Sequence, residues 1–205
     1  MKMRNLLTPI FGLLLLVGCS KARQPTVQSE MLDWQRLKGV EWYWKSERTN
    51  FMKSLDADLR CMSEPTFSNA TTNQLAGHFY RFQWWRTFHK PIIVTIASMD
   101  DGRQEVRTKI YAGPGGWKLG ELERQVTVTN KSETTATLLA QLDRWLICVP
   151  EFDGSRGPDG AEWIIDGVHN GRYSMVHRWS PESGWVRETG LRFLKAANIE
   201  EKDIY

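Results

Sequence analysis

The sequence predicts an α+β fold: a single antiparallel sheet of about six strands with helices packed on one side, preceded by an N-terminal helical segment. Three observations lead there. Apolar and polar residues alternate with a period of two through the middle of the chain. Consecutive strand-like runs are joined by links too short for parallel crossovers. Leucine-rich stripes of helical period follow them.

Taken in order, Ser20 to Ser29 is a polar spacer containing Pro25, and Glu30 to Leu37 carries a short helical pattern through Met31, Trp34 and Leu37. A second helix runs through Phe51, Met52, Leu55, Leu59 and Met62 and is stopped by Pro65. Tyr80, Phe82 and Trp84 alternate with Arg81 and Gln83, with Arg86 in a terminal position, the pattern of a half-buried strand. Ile92 to Ala97 gives a second strand. Asp100-Asp101-Gly102 supplies residues that tolerate the positive φ of a tight hairpin, and Arg103 to Tyr111 returns as a third strand. After the turn-rich Ala112 to Gly116, Glu121 to Thr129 makes a fourth.

Ser132 is placed to cap a helix whose stripe is Leu138, Leu139, Leu142, Trp145 and Leu146. Beyond the loop around Gly154 to Gly160, strands at Glu162 to Asp166 and Arg172 to Trp179 are joined by Gly167 to Gly171. In the second of these, Tyr173, Met175, His177 and Trp179 share one face. A helix from about Glu182 to Ala197 closes the chain. The domain layout is therefore a leader over 1–18, a tether over 19–29, a helical segment over 30–65 and an α+β body over 74–205.

The leader changes what the rest means. Lys2 and Arg4 precede a largely apolar run from Leu6 to Val17, and small Gly18 stands before Cys19. This is the charged, apolar and small-residue order of a secretion signal. Its apolar part is about a dozen residues, against the roughly twenty that a membrane-spanning helix needs. Leu16-Val17-Gly18-Cys19 resembles the bacterial lipobox, which implies cleavage before Cys19 and acylation of its sulfur. The same resemblance, with Ser20 after the cysteine, implies sorting to the outer membrane of a two-membrane cell. Each buried acyl methylene contributes about 0.8 kcal/mol of membrane affinity, so a multiply acylated terminus holds a body on a bilayer by itself. The membrane is thus an expected partner, through lipid.

The formal charge of +3 includes Lys2 and Arg4, so the body without its leader is close to neutral. That balance lacks the concentrated basic face of a nucleic-acid binder. The ten tryptophans are read mainly as core, packed between sheet and helices. With Cys19 committed to lipid, Cys61 and Cys148 are left as a pair in an oxidising compartment. They form either a disulfide, closing a loop of roughly ninety residues for on the order of 4 kcal/mol, or two buried thiols. Neither has the CxxC spacing of a thiol-redox enzyme.

No chemical motif is complete. Ala112 to Trp117 is glycine-rich but lacks the Gly-Lys-Ser/Thr ending of a phosphate loop. His78, His89, His169 and His177 are scattered singly without ligand spacing, so neither a metal nor a cofactor is expected. Asp166, His177 and Ser180 supply the residue types of a hydrolytic triad without the nucleophile elbow. Arg86, Asp159, Trp163, Tyr173, His177, Arg178 and Trp179 are the candidate ligand-binding group, because a guanidinium beside aromatic rings can hold a carboxylate, phosphate or sugar. The favoured alternative is internal, with Arg178 paired to Asp159, Asp166 or Glu188.

The run from Gly157 to Trp163, the Asn170-Gly171-Arg172-Tyr173 turn and Arg178-Trp179-Ser180-Pro181, with Arg187-Glu188 and Gly190-Leu191, resemble a group of uncharacterised bacterial proteins. The similarity extends back to Arg81-Phe82 and Arg86 to His89, and implies one folded domain with no assigned activity. Two function classes follow. One is a non-enzymatic envelope lipoprotein that binds a protein, peptidoglycan or small ligand through its sheet face. The other is an envelope hydrolase acting on cell-wall or lipid material.

Overall fold

Period-two patterning resolves into one sheet in a computed structural model that describes residues 41–66, 78–116, 118–146, 148–149, 151–202 and 204–205. The leader, Cys19, the spacer and the Glu30–Leu37 helix lie outside the described residues. The elements are α1 (Glu41–Cys61), β1 (Phe79–Arg86), β2 (Ile92–Ser98), β3 (Gln104–Tyr111), β4 (Leu122–Asn130), α2 (Glu133–Trp145), β5 (Ala161–His169), β6 (Arg172–Trp179) and α3 (Trp185–Ala196). Strand order is β4-β3-β2-β1-β5-β6 with every neighbouring pair antiparallel, as the short links predict for each pair consecutive in sequence; β1 and β5 meet across a long connection. The chain divides after Glu47 into two compact units. The described part of the first is the opening of α1, and the second, Arg48–Tyr205, holds the sheet. No helix among the described residues is long and apolar enough to cross a membrane.

Strand β1 is central and buried over its whole length. One face sets Tyr80, Phe82, Trp84, Val94 and Trp163 against Leu138, Leu139 and Leu142 of α2 and Phe193 of α3. The other sets Trp85, Ile93, Ile164 and Met175 against Leu55 and Leu59 of α1 and the following Met62. Helices α2 and α3 thus share one side of the sheet, as expected, and the helical lead covers the opposite side. At Gly190 an added Cβ would stand 2.5 Å from Cζ3 of Trp163. The roughly 1 kcal/mol that a glycine costs inside a helix is offset by letting α3 lie directly on that indole.

Ser132 Oγ accepts the backbone N–H of Thr135 at 3.2 Å, the predicted N-cap. The 99–103 hairpin turns through Gly102 at φ 78°. Three boundaries differ, the last helix beginning at Trp185 rather than about Glu182. α1 begins at Glu41 rather than near Phe51, because the apolar rhythm marks only the part of the helix that meets the sheet. β5 continues to His169, because Asn170 and Gly171, with φ of 50° and 71°, form the whole turn to Arg172.

The cysteine expectation is corrected. Cys61 closes the helix on one face of the sheet and Cys148 follows the helix on the other, so the sheet stands between them. Both sulfurs are exposed thiols, neither bridged nor buried, and Cys148 Sγ donates to the Arg144 carbonyl at 3.5 Å.

Candidate functional site

The predicted ligand-binding residues separate across the sheet. Arg86 stacks on Trp84 with its guanidinium carbon 4.4 Å from the ring centroid, and donates to the Lys90 carbonyl and to Glu201 at 2.9 Å. Trp163 is fully buried and donates its indole N–H to the Tyr205 carbonyl at 2.9 Å. Both hold the chain's own segments on the α2–α3 side. Asp159 is exposed in the turn before β5. Arg178 pairs internally, as favoured, but its carboxylate is Asp153 at 3.2 Å rather than Asp159, Asp166 or Glu188.

Tyr173, His177 and Trp179 lie on the α1 side with Asp166. The Asp166 carboxylate takes two hydrogen bonds from Arg81, at 2.6 and 3.0 Å, and a third from Gln83 at 3.0 Å. Tyr173 donates to it at 3.3 Å, and burial followed by that charge pushes the phenol pKa up. Glu64 joins the same layer, 2.7 Å from the Lys109 ammonium, so the segment after α1 is fastened to the sheet by buried charge. Ser180 Oγ accepts the Ala161 N–H at 2.8 Å. With Asp166 committed to Arg81 and Ser180 to the backbone, the Asp166, His177 and Ser180 trio does not assemble into a triad. His177 Nε2 is buried with no hydrogen-bond partner among the described residues, its ring 4.9 Å from Phe51 and 5.4 Å from Phe152. Burial pulls its pKa down to about 4, with Asp153 opposing.

One cleft of about 500 Å³ does concentrate chemistry. Pairing register builds its floor: Trp85 of β1 stands opposite Glu162 of β5, and Glu162 stands opposite Trp179 of β6. Three neighbouring strands therefore present a Trp–Glu–Trp row on one face. Phe51 and Asp58 of α1 close it from above, and Gly115 and Gly116 of the glycine-rich turn form part of the rim. Burial raises the Glu162 carboxyl to about 7, Arg156 opposes this and Asp58 adds to it. Asp58 is itself raised by burial. Such a site is lined by two indoles and by a carboxyl that donates or accepts a hydrogen bond near neutral pH.

Of the predicted ligand residues, only Trp179 lines this cleft. Glu162 was missed, although a charged residue inside the otherwise apolar Ala161 to Ile165 run was a readable signal. Asp58 had none, since its relation to Glu162 exists only once α1 lies on the sheet. Two of the singly scattered histidines also meet: His78 and His169 converge on Asp143 at the far end of the β1–β5 pair. No protein-family model, curated protein or solved structure matches the chain.

Proposed function

We propose that this chain is a membrane-anchored envelope lipoprotein, tethered through lipid on Cys19, whose body binds a segment of cell-wall glycan in the cleft without turning it over. The carrying observation is the Trp85–Glu162–Trp179 row. A sugar ring has an apolar C–H face that packs on indole and a rim of hydroxyls that needs both donors and acceptors. A carboxyl with a pKa of about 7 serves hydroxyls in either protonation state. Asp58 and Lys118 line the same cleft, so its rim carries groups of both signs to meet the hydroxyls of a neutral glycan. The lipobox-like leader supplies the address at which such a glycan is met.

A second reading, an envelope hydrolase acting on the same material, is favoured by one feature: a carboxyl tuned near 7 is what a general acid needs. The two part at Glu162→Gln. A binding module keeps most of its affinity, whereas a hydrolase loses product formation.

Titration with a β-1,4-linked N-acetylglucosamine oligomer, followed by tryptophan fluorescence, tests the binding reading. Saturable change in the wild type that is lost in Trp179→Ala supports it. An unresponsive wild type, or an equal response from Trp179→Ala, overturns it.

A further inference from the structure

On the sheet face opposite the cleft, three side chains from three elements meet at one point. His78 precedes β1, His169 ends β5 and Asp143 lies on α2. His78 Nε2 is 2.8 Å from Asp143 Oδ1, His169 Nδ1 is 3.0 Å from the same oxygen, and the two nitrogens are 3.1 Å apart. We propose that His78, Asp143 and His169 hold a divalent transition-metal ion of the Zn²⁺ or Co²⁺ class.

Two imidazole nitrogens and a carboxylate oxygen held within 3.1 Å of one another crowd their lone pairs unless protons or a cation lie between them. A cation in place of the protons lets both imidazoles and the carboxylate turn lone pairs to one centre. An ion about 2.1 Å from each atom of this triangle would see angles of about 85–95°, one face of an octahedron, leaving three positions for water. Two imidazoles and one carboxylate are the ligand set of a borderline transition metal, not of Ca²⁺ or Mg²⁺, which take all-oxygen shells.

The surroundings are built to hold these ligands. The Tyr80 hydroxyl donates to Asp143 Oδ1 at 2.6 Å, fixing the carboxylate from behind. Gly167 makes that possible, because a Cβ there would stand 2.2 Å from Cδ1 of Tyr80. The Asn170 side-chain amide lies 2.8 Å from His169 Nε2 and orients the ring from its far side. The three ligand side chains are 28 %, 29 % and 37 % exposed, enough for an ion and its waters to enter.

The test is Co²⁺ and Zn²⁺ titration of the purified full chain, wild type against His169→Asn and Asp143→Asn. The expected wild-type result is one equivalent of Co²⁺ with weak d–d bands, lacking the intense sulfur-to-metal absorption that Cys61 or Cys148 would give, and a melting temperature raised by Zn²⁺. Both variants lose these responses, and Tyr80→Phe, which keeps all three ligands, weakens binding about tenfold. His169 sits beside a hairpin turn, so its variant keeps the fold, checked by circular dichroism without metal. Wild-type protein that binds neither ion at millimolar concentration, or His169→Asn that binds as tightly as wild type, overturns the site. Since the glycan row lies on the other face, either proposal can fail alone.

Discussion

Glu162 stands directly across from Trp179 in the β5–β6 pair, a carboxyl set against an indole on the sheet face that α1 covers. Burial there raises its pKa from 4.5 to about 7, so the folded state prefers the protonated acid. That contribution is fully present below pH 4.5 and is lost as pH rises through 7.

His177, on the same strand as Trp179, works in the opposite sense. Its pKa falls from 6.5 to about 4, so its contribution is present above pH 6.5 and lost as pH falls through 4. Between those limits the two oppose, each on the order of 2 kcal/mol once solvent screening is allowed for. Urea midpoints across pH separate them. Glu162→Gln becomes less stable as pH drops from 7 toward 4, and His177→Phe becomes more stable as pH drops from 7 to 4.5. Variants that both follow the wild-type profile would contradict the assignment.

The Arg81–Asp166 pair gives a second prediction. Both side chains are at most 1 % exposed, so removing Asp166 leaves the buried Arg81 guanidinium with only the longer ion pair to Glu64 at 3.6 Å. Asp166→Ala is expected to cost about 3–5 kcal/mol by urea unfolding, whereas Arg81→Met with Asp166→Leu recovers much of it. A loss below about 1 kcal/mol in the single variant would show that water reaches this layer.

For the anchor, Cys19→Ser is expected to abolish acyl-chain labelling and to release the protein from the membrane fraction. A variant that keeps both label and membrane retention would exclude lipidation at this sulfur.

Much of the fold was legible because strands and caps are local. Tyr80-Phe82-Trp84 alternation, the Ser132 cap and the Gly102 hairpin turn each depend on residues a few positions apart. What stayed hidden depends on which face an element covers. The opposite placement of Cys61 and Cys148, the partnership of Arg178 with Asp153 and the approach of Asp58 to Glu162 all arise only after packing. The candidate site was least legible for the same reason: its row crosses three strands, and only Trp179 carried a sequence cue strong enough to be chosen.

The indole N–H resonances give the most direct measurement of glycan binding in the cleft. Trp85 and Trp179 line it, while Trp84 and Trp163 donate to the Tyr205 carbonyl on the other side of the sheet. Adding the N-acetylglucosamine oligomer to ¹⁵N-labelled protein is predicted to shift the Trp85 and Trp179 signals and leave Trp84 and Trp163 in place. Four unmoved signals, or movement confined to Trp84 and Trp163, would contradict the account.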